Sequence, residues 1–335
     1  MMDVAFRKDD FEFAARAKDE YDSLDVSHES FWKDVAVRFM KNKGAVLGAC
    51  IIAFIVALAV FAPMFSGRTY KTVVIEHASL PPRVPLVEKL GFMNGTVEGV
   101  DRYAEAEAKG VHYPFGTDTL GRDLWTRCWV GTRISLYIAL LAMLIDIVIG
   151  MSFGMVSGFL GGKVDLAMQR FLEILNGIPN LVIVTLLVLV LRPGIMSITI
   201  ALFIKGWIGM SQVVRAQVLK LKEQEYVLAS RTLGTSTVNL LRREVLPNVL
   251  GQVIIMSMFS IPNAIFTESF LAFIGLGLQA PMASLGVLIN DGFKSFLVYP
   301  HMVAIPTAVL AALMLSFNIM ADGLRDAFDP KMKEM

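Results

Sequence analysis

Charged residues, cysteine and histidine are all scarce in this chain of 335 residues. Charged residues make up only 18%, whereas a soluble domain carries about a quarter. Two cysteines, Cys50 and Cys128, are too few for a disulfide framework or a thiolate metal cluster. The formal net charge of +1 gives no reason to expect nucleic acid as a partner. These shortages argue against most soluble classes, and they leave a chain in which 55% of the residues are hydrophobic.

The hydrophobic residues are gathered into long runs, and windows of about twenty apolar residues predict six membrane-spanning helices. The predicted spans are 44–65, 134–158, 171–191, 195–214, 248–278 and 300–321. We therefore expect an all-α integral membrane protein, because a helix satisfies its own backbone hydrogen bonds in lipid. The first thirty residues lack the basic start and apolar run of a cleaved signal, and their many charges predict a cytoplasmic tail.

Basic residues predict the orientation of the spans, because cytoplasmic loops carry an excess of lysine and arginine. They precede the first span, fill the connection between the fourth and fifth, and follow the sixth; examples are Lys41, Lys43, Arg242, Arg243 and Arg325. Both termini are thus expected in the cytoplasm, with the protein in the plasma membrane. Arg122, Arg127 and Arg133 oppose the rule, but they lie in a long loop, and long loops translocate largely regardless of charge.

This topology divides the chain into consecutive parts. They are a cytoplasmic tail 1–43, a first span 44–65, an extracytoplasmic loop 66–133, a core of five spans 134–322 and a cytoplasmic tail 323–335. The loop is long enough to fold into a small cap, with amphipathic helices expected around "DRYAEAEAKG". The alternative is that the loop is only a spacer.

One cytoplasmic connection, "EYVLASRTLGTSTVNLLRREVLPNV" (225–249), is unusually polar for this chain. We predict a helix that begins at Glu225, where an acidic side chain suits the first turn, and ends at Pro247. A break at Gly234 would make it a helix–turn–helix, capped by the Thr-Ser-Thr that follows. Such a helix can dock in a groove of a soluble partner, or it can simply anchor the connection at the membrane surface.

This connection resembles the signature of permease subunits in ATP-binding-cassette (ABC) importers, which reads Glu-Ala-Ala, three residues, Gly, nine residues, Ile, one residue, Leu-Pro. Ala229, Gly234, Leu246 and Pro247 keep the register. Leu228, Ser230 and Glu244 depart from it, as is usual in the oligopeptide and dipeptide branch. In the family this loop forms the coupling helix, here about 224–247, which docks in a cleft of the ATPase subunit. The resemblance implies a coupling role for Glu225, Ala229, Ser230, Gly234, Leu246 and Pro247.

Three further segments resemble the same branch, and the likeness covers residues 31–330. They are "HYPFGTDTLGRDLWTRCWVGTRISL", "ESFLAFIGLGLQAPMASLG" and "FNIMADGLRDAFDP". The combination is specific, although Leu285 stands where the family often has Trp. The long insert before His112 is similar to the Gram-positive oligopeptide permeases. The likeness implies a C-type permease subunit with the six-helix fold of type I ABC importers.

The resemblance also implies an assembly. Its members are a homologous second permease subunit, two ATP-binding subunits that hold ATP and magnesium, and an extracytoplasmic peptide-binding lipoprotein. Oligopeptides are the first substrate to expect, while dipeptides, nickel chelates and glutathione remain open. The outer loop is expected to receive the binding protein and to help gate the mouth through Asp118, Arg122, Asp123 and Arg127.

No motif in the sequence predicts chemistry within this chain. The nearest approach to a phosphate loop, "SGFLGGKV" from Ser157, lacks the first glycine and ends in Val164, where a hydroxyl should hold magnesium. The four histidines show no metal-ligand spacing. We therefore expect no enzyme activity, cofactor or metal in this chain, with ATP hydrolysis on partner subunits.

Among the polar residues inside the predicted spans, four are candidates for a polar pathway or for internal contacts: Asp146, Lys205, Asn263 and Glu268. A charge facing lipid costs about 3 kcal/mol or more, so these side chains should face protein or water. Asp146 and Lys205 are expected to pair between helices, or else they line the polar wall of a peptide pathway. Glu268 follows Pro262 and Asn263 in the long fifth span, where it either shapes the pathway or only packs. An ion-driven carrier and a membrane scaffold are alternative functions. A carrier favours inverted repeats with broken helices, for which the sequence gives no convincing sign.

Overall fold

A computed structural model describes residues 31–328, except residues 86, 89, 90, 92, 98 and 109. The tail segments predicted at 1–30 and 329–335 lie outside the described residues. Within the described chain, five helices are long and apolar enough to cross a membrane: Lys43–Phe65, Leu124–Leu160, Ile195–Leu221, Thr237–Phe273 and His301–Phe328. A sixth crossing arises if Gly162–Gly177 and Asn180–Leu191, which meet at a bend of 74°, form one broken span.

The helices are numbered here in chain order. They are α1 Phe31–Lys41, α2 Lys43–Phe65, α3 Arg102–Glu105, α4 Leu124–Leu160, α5 Gly162–Gly177, α6 Asn180–Leu191, α7 Ile195–Lys205, α8 Ile208–Leu221, α9 Glu225–Thr232, α10 Thr237–Phe273, α11 Leu285–Phe293 and α12 His301–Phe328. Strands β1 Thr96–Val97 and β2 Val100–Asp101 form a small antiparallel hairpin. Helices α4 and α10 each contain a wide turn of π type, at Asp146–Met151 and at Leu241–Val245.

Helix α4 begins ten residues earlier than the span predicted from residue 134. Asp123 caps it, because its carboxylate accepts hydrogen bonds from the backbone amides of Trp125 and Thr126. Arg127 and Arg133 lower the hydropathy of this first part, which is why the sequence windows excluded it. In the structure the Arg127 side chain is buried, and that of Arg133 donates to a backbone oxygen of α2.

Close packing between α4 and α8 depends on three glycines spaced four residues apart, Gly150, Gly154 and Gly158. A Cβ on Gly150 would lie 2.7 Å from the carbonyl oxygen of Trp207, and one on Gly158 would lie 2.8 Å from that of Arg215. Small residues at this spacing let two membrane helices approach until their backbones touch. The stripe therefore fixes α4 directly against α8.

Hydrogen bonds between polar side chains hold α5 against α4 and α8. Arg215 on α8 donates from Nε and Nη2 to the two carboxylate oxygens of Asp165 on α5, at 2.6 and 2.5 Å. Ser157 on α4 also donates to Asp165, at 2.5 Å. A bidentate arginine–carboxylate pair is both strong and directional, so it sets the angle at which the three helices meet.

The two ends of the helix bundle differ. The terminal end, defined by Phe31, Pro247 and Phe328, surrounds an open cavity of about 520 Å³. At this end α1 packs against α12 through aromatic contacts of Phe31 and Trp32 with Phe328. The loop end carries residues 66–123. Because α9 joins two helices at the terminal end, the polar connection lies on the same side as both described chain ends.

The 66–123 segment at the loop end folds around a small core of its own. Tyr103 and Tyr113 are buried there beside Leu80. The Tyr103 hydroxyl donates to the carbonyl of Pro81, and the guanidinium of Arg68 stacks 4.2 Å from the ring centre of Tyr113. Desolvation raises the pKa of both tyrosines. In the described part of this segment, the expected amphipathic helices reduce to the single turn of α3 and a 3₁₀ turn at Ile75–His77.

Candidate functional site

A polar cavity of about 360 Å³ opens between the membrane helices. Its lining comes from α4, α6, α7, α8 and α10 together with Gly206. The polar residues of the lining are Asp146, Asn180, Lys205, Ser260, Asn263 and Thr267. Hydrogen-bonding groups inside a membrane bundle are typical of a substrate pathway, because they replace water around a polar solute. The structure thus brings together Asp146, Lys205 and Asn263 from the predicted set.

Lys205 is held at the bend between α5 and α6. Its ammonium donates to the carbonyl oxygen of Ile178 at 2.6 Å and to that of Asn176 at 3.4 Å. These carbonyls stand at the end of α5, which Pro179 prevents from continuing because a residue before proline disfavours helical geometry. The lysine therefore satisfies backbone groups that the break leaves open.

The predicted ion pair between Asp146 and Lys205 is wrong for this structure, since no salt bridge joins them within the described chain. Asp146 is buried beside the hydroxyl of Ser260, and a Cβ on Gly206 would stand 3.5 Å from its Oδ1. The wide turn of α4 begins at Asp146. Turns of this kind often lie at functional sites, because they change the direction in which a side chain points.

Glu268 is separated from the other three predicted residues. It is fully buried in α10 and does not line the polar cavity. Ser135 on α4 donates to its Oε2 at 2.9 Å, and the hydroxyls of Ser269 and Ser284 lie beside the carboxyl. The surroundings of Glu268 are therefore those of a packing contact between α4, α10 and the segment before α11.

The polar connection folds as the predicted helix–turn–helix, with the break at Gly234. Gly234 adopts φ of +85°, a conformation that favours glycine. Its amide donates to Arg231 O, and the amide of Thr235 donates to Ser230 O, at 3.0 and 3.2 Å. These two bonds form a Schellman motif, which ends α9 sharply. Ser236 stands at the start of the next helix without making a side-chain cap.

The prediction that a helix ends at Pro247 is wrong. α10 runs through Leu246 and Pro247 without interruption. The wide turn at Leu241–Val245 directly precedes the proline. We attribute the turn to Pro247, whose ring crowds the carbonyl four residues earlier and whose nitrogen cannot bond to it. Leu246 and Pro247 consequently belong to the base of α10, whereas Glu225, Ala229, Ser230 and Gly234 lie in the connection.

Apolar side chains are exposed on this connection. Leu233 is 87% exposed and Val238 is 71% exposed, and Tyr226 and Leu228 are more than two-fifths exposed. Tyr226, Leu228 and Leu233 lie in α9 or directly after it, and Val238 lies in the first turn of α10, all within the polar, basic stretch 225–249. Exposed apolar groups rimmed by polar residues mark interaction sites in soluble and membrane proteins.

The four residues predicted for the outer gate are buried rather than exposed. Asp118 pairs with Arg122 at 2.6 Å and with Arg127 at 3.4 Å. Arg122 also lies 3.9 Å from Asp291 on α11. Asp123 caps α4, and burial raises the pKa of its carboxyl. This charge cluster therefore joins the start of α4 to α11.

The sequence did not predict several residues of these sites. Asn180, Ser260 and Thr267 line the polar cavity but are uncharged, and isolated polar residues of this kind are common in membrane helices. Leu233 and Val238 look like ordinary apolar residues in a sequence. The glycine spacing of α4, by contrast, is a visible signal for close helix packing.

Two protein families match parts of this sequence. Residues 150–334 match the family of binding-protein-dependent transport system inner membrane components, and residues 30–82 match the N-terminal transmembrane domain of oligopeptide transport permease C. The oligopeptide transport system permease protein OppC of Bacillus subtilis is 41% identical over 98% of both chains. A dipeptide transport system permease protein of Lactococcus lactis subsp. cremoris is 43% identical over 91% of this chain and 92% of its own.

The solved structures similar to this fold include a chain of the MetNI methionine ABC transporter in an inward-facing conformation. The TM-score is 0.51 at 14% sequence identity, and the match covers 59% of this chain and 95% of the other. At that identity the likeness concerns the fold alone.

Proposed function

The chain belongs to the family of binding-protein-dependent transport system inner membrane components, and we propose that it is the permease subunit of an ATP-driven importer of oligopeptides. The 41% identity to the oligopeptide permease of B. subtilis and the 39% identity to that of Escherichia coli support this substrate class. In this proposal the chain forms half of the translocation pathway, and a homologous second permease subunit forms the other half.

A second candidate is the import of dipeptides. It is favoured by the 43% identity to the dipeptide permease of L. lactis and by a further dipeptide relative in B. subtilis at 39%. Competition for uptake by a series of peptides of increasing length separates the two. The oligopeptide proposal expects longer peptides to compete better than dipeptides, and a preference for dipeptides would reverse the assignment.

The polar cavity is the part of this chain that we assign to the pathway. Its carboxylate, ammonium, amide and hydroxyl groups can donate to and accept from a peptide backbone and its charged ends. The cavity is only partly enclosed by this chain, which suits a surface completed by a second subunit. Glu268 is left out of this assignment because it is buried away from the cavity.

One observation supports a role in coupling to ATP hydrolysis, namely the exposed apolar surface of the α9 connection. A Schellman motif closes the connection, and the side-chain amide of Asn248 on α10 donates to the Tyr226 hydroxyl at 3.3 Å. An exposed apolar group that is tied to a helix in this way can dock in a cleft and transmit the movement of a partner to that helix. We assign the partner role to an ATP-binding subunit, with ATP and magnesium held there.

The orientation follows from this assignment and from the basic residues. ATP is available in the cytoplasm, so the α9 connection and the terminal end face that side. Residues 66–123 then face outward, where we propose that they receive an extracytoplasmic peptide-binding protein. An ion-driven carrier would need no docking surface of this kind, which is why we rank it lower.

Affinity purification of the tagged chain from its native membrane tests the proposal. We expect a second permease and two ATP-binding subunits to be recovered with it, as identified by mass spectrometry. Leu233→Asp should lower recovery of the ATP-binding subunits about tenfold, the loss expected when a residue central to an interface is changed. Recovery of the second permease should be unchanged.

The matched control is Leu297→Asp, because Leu297 is 94% exposed but follows α11 at the loop end. This variant should retain every partner. Equal recovery of ATP-binding subunits with Leu233→Asp would refute the coupling role of the connection. A chain that is always recovered alone, under conditions that preserve other complexes, would refute the importer itself.

A further inference from the structure

An apolar groove of about 270 Å³ lies on the outside of the bundle between α2 and α4. Val56 and Val60 line it on the α2 side, and Leu136, Tyr137 and Leu140 line it on the α4 side. Val60, Tyr137 and Leu140 are exposed. The groove thus offers an apolar channel that the described part of the chain does not fill.

One cation stands in this groove, the guanidinium of Arg133. Its Nε and Nη2 donate to the carbonyl oxygen of Ala59 at 3.1 and 2.7 Å, and Nη2 also reaches Val60 O at 3.2 Å. Ala59 O is open because Pro63, four residues later in α2, has no amide to donate to it. The proline and the arginine together fix the guanidinium at the edge of the groove.

The charge of Arg133 is not neutralised by these bonds, since both acceptors are neutral carbonyls. Among the residues that the structure describes, no carboxylate forms a salt bridge with Arg133, and Nη1 has no hydrogen-bond partner. An arginine within a membrane-spanning helix is accommodated by backbone carbonyls, by an opposite charge or by water. The free face of the guanidinium therefore leaves room for an anionic ligand beside the two carbonyls.

The position of the groove along α2 and α4 matches the edge of a membrane. Val60 lies five residues before the end of α2, or about 7.5 Å along the helix. Arg133 and Leu140 are seven residues apart in α4, so the groove runs about 10 Å further from the loop end. Tyr137 on the rim is a residue type that favours the membrane interface. The cation is thus near headgroup level and the apolar walls are at acyl-chain level.

The groove is also separate from the pathway. Tyr137 and Asp146 are nine residues apart on α4, which places them about 180° apart around the helix axis. The polar cavity and the groove therefore lie on opposite faces of α4.

We propose that this groove is a binding site for an anionic phospholipid of the leaflet on the loop-end side. One acyl chain lies between α2 and α4 along Val56 and Leu140, and the phosphate binds the free edge of the Arg133 guanidinium. Guanidinium and phosphate match in charge and in geometry. The bound lipid neutralises Arg133 and holds α2 against α4 at the proline break.

Photo-crosslinking in lipid nanodiscs tests this site. The full chain, purified with its associated subunits, is placed in phosphatidylcholine nanodiscs that contain a small fraction of phosphatidylglycerol with a diazirine on its acyl chain. We expect labelling of peptides around Val60 and Leu140. Arg133→Gln, whose amide can still donate to Ala59 O, should reduce that labelling about fivefold, the effect of one arginine on anionic lipid. Arg133→Lys should retain it.

Two pairs of controls keep the test decisive if one variant folds poorly. Leu140→Trp should narrow the groove and reduce labelling, whereas Leu144→Trp, which is exposed on the next turn outside the groove, should not. Lys294→Gln removes an exposed cation at the loop end and should leave labelling unchanged.

Three results would overturn the proposal. They are equal labelling of Arg133→Gln and the unchanged chain, equal labelling by phosphatidylcholine carrying the same diazirine, and protein rather than lipid cross-linked to the groove. Because the readout is lipid labelling, it is independent of whether peptides are transported.

Discussion

At the scale of single residues, the membrane part of the chain repairs breaks in its own helices. Pro179 interrupts the pair α5 and α6, and Lys205 donates to the carbonyls that the break exposes. Pro63 frees a carbonyl in α2, and Arg133 donates to it. A backbone carbonyl freed inside a membrane bundle needs a donor from the protein, and long cationic side chains supply it here.

The first prediction concerns Lys205. Replacing it by Met removes the donor to Ile178 O and Asn176 O, so the free energy of unfolding should fall by about 1–3 kcal/mol. Lys205→Arg should recover part of the loss, because it can still donate. Thermal unfolding in detergent provides the measurement.

The control for this prediction is Lys220→Met. Lys220 is exposed on α8, and the change should alter the unfolding midpoint little. If the Lys205→Met and Lys220→Met variants have the same unfolding midpoint, the assigned role of Lys205 at the bend is incorrect.

The second prediction concerns Gly234 in the α9 connection. Its φ of +85° is costly for a residue with a Cβ, so Gly234→Ala should weaken the Schellman motif by about 1 kcal/mol. Hydrogen exchange of the Gly234 and Thr235 region should then speed up about fivefold. Gly234→Asn should exchange more slowly than Gly234→Ala, because asparagine tolerates this conformation better. Unchanged exchange in Gly234→Ala would show that the turn does not depend on glycine.

The identities of single residues predicted the break in the α9 connection but not the contacts of Lys205. The break at Gly234 could be predicted because glycine before a capping sequence is a local signal. The partners of Lys205 could not, because Asn176 and Ile178 take part through backbone oxygens that any residue carries. Asp146 and Lys205 have opposite charges inside spans, but the 74° bend offers Lys205 nearer acceptors.

At the scale of elements, α4 is the helix that organises the bundle. Its glycine stripe packs on α8, its start is joined to α11 by a buried charge cluster, and its opposite faces carry the polar cavity and the apolar groove. Its wide turn at Asp146–Met151 follows the segment that packs on α10, and the packing on α8 begins within the turn, at Gly150.

The third prediction tests the glycine stripe. A Cβ on Gly154 would collide with the backbone oxygen of Ser211, so Gly154→Ala should force α4 and α8 apart and lower stability by about 1–3 kcal/mol. The matched control is Gly209→Ala in α8, where a Cβ meets no atom within 4 Å. That change should be neutral or stabilising by up to about 1 kcal/mol. Both are compared by thermal unfolding, and equal destabilisation would contradict close contact at Gly154.

Element boundaries were predictable to different degrees. The span 44–65 is an uninterrupted apolar run, and the structure has α2 at Lys43–Phe65. The start of α4 could not be predicted from hydropathy, because Arg127 and Arg133 are buried or bound to backbone rather than solvated. The extension of α10 past Pro247 depends on a wide turn, which has no sequence signature beyond the proline itself.

At the scale of the whole molecule, three surfaces point in different directions. The polar cavity lies within the membrane bundle, the α9 connection lies at the terminal end, and residues 66–123 lie at the loop end. The proposed importer needs this separation, because the substrate, an ATP-binding partner and a peptide-binding protein must contact different faces. The all-α fold was predictable from composition and apolar runs, whereas the cavity arises from tertiary packing of five helices.

Uptake of a labelled oligopeptide into proteoliposomes tests the central claim most directly. The co-purified complex is reconstituted with ATP on the side of the ATP-binding subunits and the peptide-binding protein on the other. The account predicts uptake that requires ATP hydrolysis, that continues when ion gradients are collapsed, and that Leu233→Asp abolishes while Leu297→Asp does not. Uptake driven by an ion gradient without ATP, or uptake unaffected by Leu233→Asp, would contradict it.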